Sequence, residues 1–359
     1  MRPCFTSGLL SASLLLTATV LTPAAAQSFN QAIVFGDSNV ATGWVGIGYL
    51  VNSQILASFF GLTANSANQP GGTNYAIGGA LDAAVPANGN RGNLGNPSLP
   101  STVQQITNYL ASTAGVANPN AIYLVSSGSN DSAFAVGAFG TLTAQQNYLS
   151  SQATNLITAI KRLQSAGAQY IIVQNGLVSR PLANFYNQTL WTNLAAAGVA
   201  FIPADRLAMV KAVQSNPTMF GFTAATVVQA TIGSGTSNTA SACIYNGPGF
   251  ATMGSWSQIC LDSATPSTSF AYLRTANAQQ TSFFADDAHF SAAGQKIEAD
   301  YMYNLVTAPS EISYLAEAPV KTRAAVVAAI DSQIAISQSQ SGPTPFPWTV
   351  EVLGSGYTI

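Results

Sequence analysis

The chain holds a single histidine, His289, and it closes the stretch Asp286-Asp287-Ala288-His289. An imidazole changes charge near neutral pH, and a carboxylate beside it fixes its tautomer and stabilises the imidazolium. Asp286, three residues earlier, faces the same way if the stretch forms a tight turn. Such a base is what a serine hydroxyl needs to act as a nucleophile. A serine suited to that role is Ser38 in Gly36-Asp37-Ser38-Asn39, where the glycine allows a sharp turn straight after an apolar run. A third stretch, Gly128-Ser129-Asn130-Asp131, also follows an apolar run, and an asparagine there can aim its amide at a developing oxyanion. Each stretch alone has an ordinary reading: a strand-to-helix turn, an Asx-stabilised turn, a structural histidine. In the order nucleophile, amide, carboxylate–imidazole, the three together point to acyl transfer.

The elements that must position these residues alternate along the chain. Apolar runs at Gln31–Phe35, Ala121–Val125, Tyr170–Val173 and Val199–Pro203 read as strands. Helical spacing covers Gly43–Gly61, Ser101–Ala114, Thr143–Ala166, Leu182–Ala197 and Ser291–Leu305. Strands separated by helices of this length imply parallel crossovers and a sheet with helices on both faces. In such a sheet ligands gather beyond the carboxyl ends of the strands, where all three stretches fall or can reach. Residues 64–100 lack periodicity and read as an extended loop. Residues 216–282 break the rhythm and read as a loop insertion.

Of 359 residues 48% are hydrophobic and only 7% charged, with a formal net charge of −2, a balance opposite to that of disordered chains. Eleven scattered basic residues give no footprint for nucleic acid. Arg2, the apolar Leu9–Leu21 and Pro23-Ala24-Ala25-Ala26 read as a cleavable export signal over residues 1–26, too short to span a bilayer. The expected organisation is this signal, a domain over 27–305, and a helical piece, linker and tail over 306–359. The mature protein is expected in the periplasm or outside the cell, without a stable membrane span. Cys243 and Cys260 form an even pair in an exported chain and read as a disulfide, with two buried thiols as the alternative. One histidine and two cysteines cannot supply a zinc set at the usual spacings, so neither metal nor other cofactor is expected.

The motifs together resemble the GDSL (SGNH) hydrolase family, in its secreted, lipase-like bacterial branch. Ile33-Val34-Phe35-Gly36-Asp37-Ser38 is similar to the first family block and implies Ser38 as nucleophile. Gly72-Thr73-Asn74-Tyr75-Ala76-Ile77-Gly78-Gly79-Ala80 resembles the second, whose glycine amide donates to the oxyanion; Gly79 is the match, with Gly78 the alternative. Gly128-Ser129-Asn130-Asp131 resembles the third and implies Asn130 as a further donor beside the Ser38 amide. Asp286-Asp287-Ala288-His289 resembles the last. The resemblance covers roughly residues 31–317 and implies a three-layer α/β/α sandwich with a doubly wound, mainly parallel, flavodoxin-like sheet. Ala308–Ser313 resembles the linker before a membrane barrel in autotransporter members. The 42 residues from Ala318 to Ile359 are too few for the ~8 strands of the smallest barrel, so none is expected within this chain.

Two departures from the family pattern stand out: Asn39 stands in place of leucine, with Val40-Ala41-Thr42-Gly43 in place of the more usual Ser-Asp-x-Gly, and Phe290 follows His289 where proline is frequent. Neither removes a catalytic group, and the change at 39 implies altered packing or substrate fit. The resemblance implies hydrolysis of small-molecule or lipid esters through an acyl-serine. Activity is then expected to rise through roughly pH 6–7 as the base becomes neutral. Carbohydrate O-deacetylation or acyl transfer on the same triad is the neighbouring reading. A non-catalytic surface-binding module is the reading from another class. Trp44, Tyr75 and Phe134 lie near the motifs in sequence, though packing is the commoner role for such residues.

Overall fold

A computed structural model describes residues 28–42, 49–84, 92–94, 96–176, 182–229, 240–244, 264–266, 272–286 and 289–339. Residues 1–26, read as an export signal, Trp44 and Cys260 lie outside them. Four parallel strands, β1 (Gln31–Gly36), β2 (Ala121–Ser126), β3 (Tyr170–Gln174) and β4 (Ile202–Ala204), form one sheet in the order β1-β2-β3-β4. Gln31 to Gly36 of β1 pair in register with Ala121 to Ser126 of β2. On the outer edge of β1 an irregular segment takes the place of a strand. Val34 N–H donates to Thr73 O at 3.1 Å, Tyr75 N–H to Val34 O at 2.8 Å and Ile77 N–H to Gly36 O at 3.0 Å. The chain therefore leaves β1 outward, runs along its free edge, and returns across it to β2. β1 thus stands at the topological switch point, where a doubly wound sheet opens a crevice.

Side chains alternate along the buried strands and feed two cores. Ile33, Phe35, Tyr123, Val125, Ile171 and Val173 pack with α2 (Thr102–Ser112), α4 (Leu142–Ser165) and α5 (Ala183–Ala196). Tyr75 and Phe134 pack against this core. Val34, Ile122, Leu124 and Ile172 pack on the other face with α1 (Asn52–Phe59) and, through Ala299 and Met302, with α8 (Ala292–Ser339). Helices on both faces of one sheet make the three-layer sandwich that the sequence implies. Between β2 and β4 the chain also forms α3 (Ser129–Ala138), and after β4 comes α6 (Arg206–Ser215). Within 216–282, two 3-10 turns, an antiparallel pair β5 (Cys243–Ile244) and β6 (Tyr272–Leu273), and the short α7 (Ala278–Thr281) are described.

Several boundaries differ from the sequence reading. α1 starts at Asn52, not near Gly43, because Asn52 turns inward and its N–H donates to Gln295 Oε1 at 2.8 Å. α3 occupies a stretch read as a turn; its buried residues are mostly polar, so no apolar stripe announces it. α8 runs past Leu305 with Pro309 and Pro319 inside it, through an Ala-rich composition that favours helix. The chain divides into two compact units, Met1–Thr307 and Ala308–Ile359. The second contains the rest of α8, with Ile312, Val320 and Ile330 exposed. Among the described residues no helix is long and apolar enough to cross a membrane.

Candidate active site

The turn after β1 is built around Gly36, whose φ is +143°. A Cβ there would lie 1.9 Å from Ser126 O, so only glycine fits. Gln105 on α2 satisfies both of its backbone groups: Gly36 N–H donates to Oε1 at 2.8 Å and Nε2 donates to Gly36 O at 3.0 Å. Beyond it the N–H groups of Val40 and Ala41 both donate to Asp37 O, which closes one helix-like turn around Ser38. Asp37 Oδ1 accepts from Asn39 N–H at 3.0 Å and from Asn39 Nδ2 at 2.9 Å. The serine is buried but for 3% of its surface.

His289 arrives on a tight hairpin. Phe284 bridges Phe290, and Ala285 N–H donates to His289 O at 2.9 Å. Asp286 Oδ1 accepts from the His289 N–H at 2.6 Å, while Oδ2 lies 2.8 Å from His289 Nδ1. With Nδ1 so held, Nε2 lies 2.8 Å from Ser38 Oγ. Ser38, His289 and Asp286 therefore form one unbroken hydrogen-bonded path across 251 residues of sequence.

The other two residues singled out from sequence, Gly79 and Asn130, meet one residue further along, at Ala80. Gly128, with φ +96°, turns the chain from β2 into α3, and a Cβ on it would strike the Tyr186 ring at 2.1 Å. Asn130 then sits in the first turn of α3, and its Nδ2 donates to Ala80 O at 3.0 Å, the residue after Gly79. Residues 80–83 are held throughout: Leu81 O accepts from Thr102 N–H, Asp82 O from Val103 N–H, and Gln152 bonds both backbone groups of Ala83. The Ser38 and Gly79 N–H groups donate to none of the described residues.

Two buried polar groups flank the site. Asp82 N–H donates to Asp131 Oδ2 at 3.0 Å, Tyr148 hydroxyl to Asp131 Oδ1 at 3.3 Å, and Tyr186 hydroxyl to Asp82 Oδ2. Burial, with the charge of Asp37 added, pushes Asp82 up to about 6, and burial with the charge of Asp82 pushes Asp131 well above the usual carboxylate range. On the nucleophile side Arg206 pairs with Glu298 and donates from Nη2 to Asn39 Oδ1 at 3.2 Å. Burial raises both Asp37 and Glu298, and the Arg206 charge opposes that rise. Asn52 Nδ2 bonds Glu298 Oε2 at 2.6 Å and Asn39 O at 2.8 Å, tying α1 and α8 to the same turn.

Of the residues singled out from sequence, the structure joins Ser38, His289 and Asp286 and ties Asn130 to the Gly79–Ala80 segment. Cys243 is buried in β5, and Cys260 falls outside the described residues. Sequence reasoning missed Gln105, Arg206 and Glu298. Asp205 before an apolar-spaced stretch was a helix-start signal for α6, and its side chain does cap that helix, at Ala208 N. Among the described residues no group of three or more His, Cys, Asp and Glu could hold a metal ion. A cavity of about 310 Å³ opens elsewhere, beside Gln31, Tyr75 and Tyr109, and contains none of these site residues.

Residues 33–302 match the family model described as GDSL-like lipase/acylhydrolase. Esterase EstA of Pseudomonas aeruginosa is 27% identical over 267 residues, 68% of this chain and 36% of that protein. An uncharacterized protein in the trpE-trpG intergenic region of Pseudomonas putida is 25% identical over 268 residues, 69% of this chain and 40% of that protein. The chain thus spans well under half the length of these curated relatives. A solved phospholipase A1 from Streptomyces albidoflavus NA297 is 13% identical over 52% of this chain and 81% of its own, with a TM-score of 0.29, too low to carry an argument. With the family model matched from β1 to α8, the chain belongs to the GDSL lipase/acylhydrolase family.

Proposed function

We propose that the chain is an exported serine hydrolase that cleaves carboxylic esters of small molecules or lipids through an acyl-serine intermediate. The observation that carries this reading is the hydrogen-bonded path from Ser38 Oγ through His289 to Asp286. In the cycle, His289 Nε2 takes the Ser38 proton as Oγ bonds the ester carbonyl carbon. The carbonyl electron pair moves onto oxygen, where the Ser38 and Gly79 amides and the Asn130 side chain stabilise it. Asn130 Nδ2 has two hydrogens; with one on Ala80 O, the other serves the oxyanion. Collapse expels the alkoxide, which takes the proton from His289. Water then adds to the acyl carbon, giving its proton to His289 and from there to the departing Ser38 Oγ.

Export rests on the signal pattern at residues 1–26, and the ester class draws on the esterase name of the relatives. In the same reading Cys243 and Cys260 are linked, which a non-reducing peptide map checks. The test of the activity is hydrolysis of p-nitrophenyl esters from acetate to palmitate by the mature protein and by Ser38→Ala. Turnover should fall by at least about a thousandfold in the variant. Equal turnover by both proteins overturns the nucleophile. No turnover on any ester, with release of acetate from acetylated carbohydrate or tight binding of glycan or lipid, favours the deacetylase or binding readings.

A further inference from the structure

We infer that Arg206 positions the base against the nucleophile, holding from one buried guanidinium both Asn39, next to Ser38, and Phe290, next to His289. This rests on the hydrolase reading above and adds a residue outside its triad and oxyanion donors. Arg206 opens α6, 0% exposed, and its own N–H donates to Asn175 Oδ1 at 2.8 Å. Its Nη2 donates to Asn39 Oδ1 at 3.2 Å, and its Cζ stands 5.4 Å from the centre of the Phe290 ring. Its charge is met by Glu298 on α8, the helix that starts two residues after Phe290.

The shape of the group explains the arrangement. A guanidinium is flat, with hydrogen-bond donors around its edge and a face that stacks on aromatic rings. The edge here serves Asn39 and Glu298, and the face serves Phe290. A lysine ammonium, a compact point charge, cannot do both. The nucleophile turn and the histidine hairpin lie far apart in sequence, and Ser38–His289 alignment depends on how the two segments meet. Asn39 and Phe290 are also among the positions at which the motifs depart from the family pattern. Leucine at 39 would offer no acceptor, and proline at 290 no ring face.

The test measures kcat and KM on p-nitrophenyl butyrate, with thermal unfolding, for Arg206→Met/Glu298→Gln, Arg206→Lys, Asn39→Leu, Phe290→Leu and Asn39→Leu/Phe290→Leu. Arg206→Met alone strands Glu298, so the charge-free double variant keeps the test independent of folding. It should fold, with kcat lowered about ten- to a hundredfold and KM within about twofold, as expected for misplacement by a fraction of an ångström. Arg206→Lys should not restore kcat. Asn39→Leu and Phe290→Leu should each lower kcat about tenfold and together less than the product of the two, since part of each effect passes through Arg206. Made also in the charge-free background, each should lower kcat by severalfold less than it does in the wild type, the remainder at 39 coming from its bond to Asp37. A folded charge-free variant with wild-type kcat, or effects at 39 and 290 that multiply and are undiminished by removal of Arg206, overturns the inference alone. Wild-type turnover that survives Ser38→Ala overturns the hydrolase reading, and the inference with it.

Discussion

Two buried supports border the segments that carry the candidate site residues, and they bury carboxyl groups in different ways. On the Gly79–Asn130 side Asp82 and Asp131 face each other and two tyrosine hydroxyls, Tyr186 and Tyr148, and among the described residues neither acid has an ion-pair partner. On the nucleophile side Asp37 and Glu298 are equally buried but share the field of Arg206. A carboxyl group out of water must either keep its proton or gain a counter-charge. The first support keeps a proton and the second carries a cation. The proton-keeping side should therefore respond to pH, and the ion-paired side to loss of Arg206.

The largest effect is expected where one substitution strands a charge. Arg206→Met leaves Glu298 without its ion pair in a fully buried place, and breaking such pairs costs about 3–5 kcal/mol. Urea unfolding at pH 7 should show that loss, and Arg206→Met/Glu298→Gln should recover most of it. Asp131→Asn on the other side replaces a protonated acid by a neutral group of the same shape and should cost less than about 1 kcal/mol. Similar losses for Arg206→Met and Asp131→Asn would remove the distinction between the two supports.

The next effect is on pH dependence. Asp82 has a folded-state pKa of about 6, above the ordinary carboxylate value, because burial disfavours its anion. A raised pKa means that the folded protein binds the proton more tightly than the unfolded chain. The stabilisation is fully present below roughly pH 4 and is lost as pH rises through about 6, an effect on the order of 2–3 kcal/mol. Asp82→Asn, which has no proton to lose, should unfold with a flatter dependence between those limits. Parallel profiles for wild type and variant would show that this acid is not titrating in the folded state.

The contrast also marks what a sequence can disclose. The strands were legible because apolar runs of four or five residues between helical stretches have few other readings, and Ser38, Asn130, Asp286 and His289 because each sits in a short motif at a strand or helix end. Gly36 carried its own signal, a glycine where the chain must turn against Ser126 O. The supports were not legible. Asp82 and Asp131 are 49 residues apart, and Arg206 and Glu298 are 92 apart, so nothing local pairs them. A lone arginine before an amphipathic stretch reads as a surface residue. Asn52 defeated the helix boundary in the same way, since its partners Gln295 and Glu298 lie at the other end of the domain.

α8 provides the smallest effect and the sharpest control on the ion-paired side. Two residues before Glu298, Lys296 Nζ binds Asp300 at 2.7 Å, and these side chains are 60% and 44% exposed. Glu298 of the first pair and both partners of the second lie on the same helix, and the two pairs differ in burial. An exposed pair spaced four residues apart gains about 0.3–0.5 kcal/mol, and salt screens it. Asp300→Asn should therefore lower stability by no more than about 0.5 kcal/mol, and the difference should vanish in about 1 M salt. Lys296 also lies 5.6 Å from the centre of the Phe59 ring, so substitution of the aspartate isolates the ion pair better than substitution of the lysine. A loss at Asp300 approaching that at Arg206 would place the cost in α8 itself, not in the burial of charge, and would remove the reason to regard the Arg206 pair as special.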